Sequence, residues 1–289
     1  MTSSRSRHDL ATGAGEPARL RYDPKIMTRT SPPLVAVAHG SKDPRAAATV
    51  EELLSEVRLR RPGLPVLTSY LDHAPPTPVQ VLGGLADGGA GAAVVLPLLL
   101  TAAYHSKIDI PGALAEVATL RPRLRMRTAG TLGPHPLLLS ALERRLAETG
   151  VEIGDPSTAV VLVSAGSSDP AANAVIESMA RTWSARGWWA VRPAYASAAR
   201  PAPAQAVRSL YTSGAPRVVV ASYFLAPGHF ADKVRAESLA AGATAVSPVL
   251  GAAPELAELV LQRYADALHD TRISADDIRA QTARVTLPM

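Results

Sequence analysis

The chain of 289 residues contains no cysteine. Disulfides, zinc–thiolate sites and iron–sulfur clusters are therefore excluded, and any metal must be held by His, Asp or Glu. Aromatic residues are nearly as scarce, at 4% of the chain. Cores have to be built from Ala, Val and Leu, and a platform that stacks nucleic-acid bases is disfavoured. Runs of Lys and Arg are missing too. The net charge of +5 comes from scattered arginines, which suits a small polyanionic substrate better than a DNA backbone. Nor does any apolar stretch look like a membrane span: "AAVVLPLLLTAA" is too short and carries Pro97. With no signal-peptide-like segment near Met1, the expectation is a cytoplasmic protein with neither membrane nor nucleic-acid partners.

What is present is globular: 47% hydrophobic and 19% charged residues, with length enough for two domains. Residues 1–31 are rich in Ser, Arg, Gly and Pro without periodicity, and read as a flexible tail. Short β-branched runs then alternate with helical patterns. "LVAVA" reads as a strand, and "DPRAAATVEELLSEVRLR" as a helix with Val50, Leu53, Leu54 and Val57 on one face. The strand "LPVLTSYL", a helix near "TPVQVLGGLADGG" and the strand "AAVVLPLLL" follow. A helix after "DIPGALAEV", the strand "LRMRTAGTL" and the helix "PLLLSALERRLAE" complete the half. Strands apolar throughout, separated by helices, predict a parallel sheet covered on both faces.

The second half repeats that order. "AVVLVSAGSSDPAA" aligns with "LVAVAHGSKDPRAA" at an offset of 126 residues, and its helix carries Ile176, Met179, Ala180 and Trp183 on the same spacing. The fold class is α/β, with two tandem-duplicated domains, each a mostly parallel sheet flanked by helices. The expected divisions are 32–150 and 158–269, with a polar C-terminal tail over 270–289.

The shared Gly-Ser-x-Asp-Pro has a structural explanation. Asp43 and Asp169 cap the following helices, Pro44 and Pro170 suit the first turn, and Gly40 and Gly166 permit a sharp strand-to-helix turn. Ser41 is divided between backbone capping and substrate contact. His39 is not needed for the turn, because Ala165 fills its place in the second copy; it is either a buried histidine bonded to a neighbouring carbonyl or a site residue. It follows a parallel strand at the carboxyl edge, where open α/β sheets place ligands. His105 follows "VVLPLLL" in the same way, and two strand-end imidazoles at one rim make a divalent metal site. Asp72, in "TSYLDHAPPTP", reaches the same edge as either a loop carboxylate or a member of the site. His73 reads as solvent-facing. The second copy carries Ser197 in place of the acid and keeps only His229.

Taken together, "HGSKDPRA", "YLDHAPPTP", "PLLLTAAYHSKIDIP" and "LGPHPLL" resemble the class II tetrapyrrole chelatases of the sirohydrochlorin branch, in their long, duplicated form. The resemblance covers about residues 33–268. It implies two chelatase-like domains facing across a cleft and insertion of Fe2+ or Co2+ into sirohydrochlorin, as in siroheme or cobalamin synthesis. The ligand types fit Ni2+ equally well. The metal is then a substrate and no cofactor is tightly bound. His39 and His105 become the metal and proton-transfer pair, with Asp72 standing where relatives more often carry Glu. Lys107 is either a clamp on substrate carboxylates or an exposed helix-start lysine. His135 is either a substrate contact or a helix cap. His229 either donates a hydrogen bond to a substrate carboxylate or lines the cleft as part of the opposing wall. Internal duplication makes a monomer sufficient. Two rival readings are a tetrapyrrole or metal carrier without insertase activity, and a metal-assisted hydrolase, for which no nucleophile or further carboxylate cluster is evident.

Overall fold

A computed structural model describes residues 31–101 and 108–269. Its first half runs β1 (Leu34–Ala38), α1 (Pro44–Arg60), β2 (Val66–Tyr70), α2 (Pro78–Asp87), β3 (Ala92–Pro97), α3 (Ile110–Leu120), β4 (Arg125–Thr128) and α4 (Pro136–Ala147). The second runs β5 (Thr158–Ser164), α5 (Pro170–Ser184), β6 (Ala190–Tyr195), α6 (Pro203–Thr212), β7 (Arg217–Ser222), α7 (His229–Ala240), β8 (Ala245–Val246) and α8 (Pro254–His269). Each half forms one four-stranded parallel sheet, in the orders β2-β1-β3-β4 and β6-β5-β7-β8. The fold class is thus the expected duplicated α/β architecture. Helix α3 begins inside "DIPGALAEV" rather than after it, because Pro111 suits a first helical turn. The two terminal tails fall outside the described residues.

The central strands β1 and β5 are buried along their whole length, which is why they read as unbroken apolar runs. On α1 the buried residues are Val50, Leu53, Leu54 and Val57, and on α5 they include Ile176, Met179, Ala180 and Trp183. The helical spacing therefore identified the inward faces correctly.

Three hydrophobic cores result. Residues of α2 and α3 cover one face of the first sheet, around Val35, Val37, Leu82 and Leu114. Residues of α6 and α7 do the same for the second, around Val161, Val163, Val207 and Val234. The third core runs through both halves, from Leu34 and Leu54 through Leu138 and Leu142 to Trp183, Leu256 and Tyr264.

Helices are exchanged across that shared core. Helix α8 packs on β3, β4, α1 and α4 of the first half, while α4 packs on β7 of the second. Polar side chains fix the crossing. Arg263 donates to the Thr131 carbonyl at 2.8 Å, and Tyr264 donates to the Pro32 carbonyl at 2.7 Å. Arg145 donates from Nη2 to the Leu250 carbonyl at 2.8 Å, and Arg144 pairs with Glu255 at 2.6 Å. Burial is the largest single influence on Glu255 and opposes its ionisation, but the Arg144 hydrogen bonds, a backbone hydrogen bond and the Arg144 and Arg145 charges together hold the carboxyl below its usual range. Tyr264 is fully buried, as are Leu256, Leu259 and Val260. Each side chain of this size contributes roughly 1.5–3 kcal/mol of transfer free energy, so apolar packing outweighs the ion pairs in joining the halves.

Candidate functional site

In the strand order β2-β1-β3-β4 the chain reverses direction of growth between β1 and β3, and ligands of open α/β sheets bind at the carboxyl ends of such strands. The second sheet has its reversal between β5 and β7. A cavity of about 560 Å³ lies where the two reversals face each other. The first half lines it with His39, Ser41, Ala47, Tyr70 and Leu98–Thr101. The second half supplies Ala165, Ser167, Ser168, Asn173 and Tyr223–Ala226, together with Phe230. The volume is within the range of small-molecule pockets.

The backbone of the β1–α1 turn explains its glycine. Gly40 has φ +92°, and a Cβ there would stand 1.8 Å from the Asp72 carbonyl oxygen. The Asp72 amide donates to the His39 carbonyl at 2.9 Å, so the loop after β2 is laid directly along the turn. Ser41 Oγ accepts from the Asp43 amide at 3.1 Å, and Asp43 Oδ1 accepts from the Arg45 amide at 2.9 Å. Asp43 is therefore the α1 cap, held below its usual pKa first by the Arg45 side chain.

The β5–α5 turn has the same construction. Gly166 has φ +82°, and its added Cβ would stand 2.1 Å from the Ser197 carbonyl oxygen. The Ser197 amide donates to the Ala165 carbonyl at 2.9 Å, and Asp169 caps α5. Here Asn173 adds a side-chain clamp. Its Oδ1 accepts from the Ser167 amide at 3.0 Å and its Nδ2 donates to the Ser167 carbonyl at 2.7 Å.

The remaining candidates are placed as follows. His39 is exposed at the rim and lines the cavity, and Ser41 lines it while also bracing the turn. His105 and Lys107 lie outside the described residues; Leu98–Thr101, which follow β3, line the cavity. Asp72 lies beside the turn. Its Oδ1 accepts from the His73 amide at 2.7 Å, and its Oδ2 is 3.3 Å from His73 Nε2. His229 opens α7, with its ring centroid 5.7 Å from that of Phe230, which reaches the cavity. His135 caps α4, accepting at Nδ1 from the Leu137 amide at 3.3 Å. It faces a separate groove of about 500 Å³ between α4 and α5. Burial and the nearby Arg263 charge lower its pKa. Among the described residues no group of three or more His, Asp and Glu comes together as a ready metal cage.

Two contacts between the halves escaped the sequence reading. Tyr223, at the cavity floor, donates to the Leu100 carbonyl of the other half at 3.0 Å. Gly133 is tucked behind it, where a Cβ would stand 2.1 Å from that carbonyl and 2.6 Å from the phenol oxygen. Arg45 joins Asp232 of the second half at 2.6 Å. The first feature was discoverable from the repeat, since Tyr223 stands opposite Leu98. The second was not, because the partners are 187 positions apart.

Two parallel sheets meet at their switch points, with an imidazole on one wall of the cavity and alanine in its place on the other, an arrangement whose position and volume suit a small ligand. The CbiX family model matches residues 33–149 and again 159–267, and the chain belongs to that family. A sirohydrochlorin cobaltochelatase of Priestia megaterium is 31% identical over 196 residues, covering 66% of this chain and 63% of that protein. A sirohydrochlorin ferrochelatase of the same organism is 28% identical over 169 residues, covering 58% of this chain and 63% of that protein. The chain thus spans a little under two thirds of the length of these relatives. The structure of SirB from Bacillus subtilis with Fe3+ matches with a TM-score of 0.75 at 22% identity, covering 84% of this chain and 97% of that one. That likeness is one of fold. Among the described residues, no helix is long and apolar enough to cross a membrane.

Proposed function

We propose that the protein is a sirohydrochlorin chelatase that inserts Fe2+ or Co2+ into the tetrapyrrole and releases two protons. The observation that carries this reading is the facing-sheet cavity with His39 at its rim, in a chain of the CbiX family. Relatives named as sirohydrochlorin cobaltochelatase and ferrochelatase support it, as do SirB structures described with Fe3+ and with cobalt.

Insertion requires that the metal shed water and that two pyrrole N–H groups lose protons. Neutral imidazoles suit both tasks, since they bind borderline divalent metals and titrate near neutrality. In this reading His39 and His105 hold the incoming metal and accept protons. Asp72, laid along the His39 turn, orients a histidine or relays a proton. Ser41, Lys107 and His229 contact the substrate, whose many carboxylates a basic chain attracts, while His135, the α4 cap, faces the separate groove beside α5. One chain contributes both walls, so a monomer suffices.

The direct test is anaerobic incubation with sirohydrochlorin and each of Fe2+, Co2+ and Ni2+, followed by absorbance. A metal-dependent spectral change faster than the uncatalysed reaction is expected for Fe2+ or Co2+. Tight tetrapyrrole binding with no acceleration by any metal would instead make the protein a carrier.

A further inference from the structure

Arg45 is the second residue of α1, next to Ala46 and Ala47, which line the cavity. Its Nε donates to both carboxylate oxygens of Asp43 at 3.1 Å, and its Nη2 donates to Asp43 Oδ2 at 2.6 Å. Asp43 is itself fixed as the helix cap, so the guanidinium is aimed by a rigid anchor. The same Nη2 donates to Asp232 Oδ2 at 2.6 Å, in the first turn of α7 of the other half. Immediately after Arg45, Ala46 and Ala47 line the cavity, and two residues before Asp232, Phe230 lines it from the opposite side. The pair therefore ties α1 to α7 beside the cavity that both helices help to line.

Two observations argue against a purely structural clasp. Both side chains are more than half exposed, at 54% and 56%, where an ion pair is worth only about 0–1 kcal/mol and exchanges readily. The duplication also carries a guanidinium on one side only. Ala171 stands opposite Arg45, just as Ala165 stands opposite His39. The helix cap works in both copies, so the cap does not require the arginine. A planar guanidinium is the side chain best matched to a carboxylate, and the acid it now holds beside the cavity is itself a carboxylate.

We propose that Arg45 receives a substrate carboxylate beside the cavity, and that Asp232 holds that carboxylate's place until the substrate displaces it. Arg45 is then a substrate-positioning residue on the His39 wall, preoriented by Asp43. The assignment rests on the reading of the substrate as a polycarboxylate tetrapyrrole. It implies that entry of the substrate releases α7 from α1.

The test is a dissociation constant for metal-free sirohydrochlorin, measured by its fluorescence over a range of salt concentrations. It compares wild type, Arg45→Ala, Arg45→Lys, Asp232→Asn and the Arg45→Ala/Asp232→Asn double variant. Arg45→Ala should weaken binding about tenfold and flatten its salt dependence, with a smaller effect on kcat than on KM. Arg45→Lys should recover part of the affinity, because it keeps the charge but not the fork. Asp232→Asn should tighten binding about threefold by removing a competitor, and should have no effect once Arg45 is alanine. Weaker or unaltered binding in Asp232→Asn, while wild type binds and metallates, would overturn the inference and leave the chelatase reading standing. Failure of the wild type to bind sirohydrochlorin at all would overturn that reading, and this inference with it.

Discussion

At the end of β1 the chain reads His39-Gly40-Ser41, and at the end of β5 it reads Ala165-Gly166-Ser167, on the same backbone. Both glycines have positive φ and both abut the carbonyl of a residue in the next loop, Asp72 in one half and Ser197 in the other. Both serines accept from the amide of the capping aspartate. The turn is thus fully accounted for by Gly, Ser, Asp and Pro, and the histidine is not needed to build it. What differs is everything aimed at the cavity. The first half lines it with His39 where the second has Ala165, and at the equivalent neighbouring positions the first half carries Asp72 and Arg45 where the second carries Ser197 and Ala171. The second half instead invests in rigidity, through the Asn173 clamp and the Tyr223 hydrogen bond, where the first has Ala47 and Leu98. In the proposed reading, one wall carries the reactive groups and the other provides a fixed surface facing them.

The sharpest way to break that comparison is to remove the imidazole. His39→Ala and His105→Ala should each lower the rate of metal insertion at least about a hundredfold, as expected for loss of a ligand or proton acceptor. Ala165 already shows that the turn tolerates the first change, so thermal stability should hold. Near wild-type turnover in either variant would remove that histidine from the mechanism.

Gly40→Ala and Gly166→Ala test the shared part. Each forces a side chain into the left-handed region against a backbone carbonyl, so each should destabilise by about 1–3 kcal/mol or more in denaturant unfolding. Only Gly40→Ala should also reduce insertion below the level expected from stability alone, because it displaces His39. Equal activity in the two refolded variants would contradict the division of roles.

A smaller effect is expected from the opposing wall. His229→Ala should raise KM several-fold and change kcat much less than His39→Ala does. A kcat loss matching that of His39→Ala would make the second half a participant in the chemistry.

The smallest effect concerns the contact between the halves. Tyr223→Phe removes the bond to the Leu100 carbonyl and should cost about 1 kcal/mol. Burial pushes the Tyr223 phenol well above the usual tyrosine range. Its folded pKa exceeds its unfolded one, so its contribution is fully present below about pH 10 and declines as pH rises further. Wild-type stability should therefore fall more steeply than that of Tyr223→Phe above pH 10, and parallel curves would contradict the assignment.

How much of this was legible beforehand follows from how local each signal is. The α1 face of Val50, Leu53, Leu54 and Val57, the Asp43 cap and the Gly40 turn depend on a few neighbouring residues, and their patterns state them directly. The repeat exposed His39 by showing the turn without it. The exchange of α4 and α8 left no such mark. An amphipathic helix records that one face is buried, but not which sheet buries it, and Leu256 or Tyr264 would look the same on either. Arg45 and Asp232 were invisible for a related reason, since each is an ordinary exposed charge until the halves are docked. His135 shows the limit of motif reading: its imidazole serves the α4 cap and faces the groove beside α5, away from the residues lining the main cavity.

The claim that one half performs the chemistry and the other walls it is tested most directly by locating the metal. A crystal soaked with Co2+ should show an anomalous peak within ligand distance of the His39 and His105 imidazoles, and none at His229. Metal bound at His229 alone would assign the reaction to the wrong half and contradict the account.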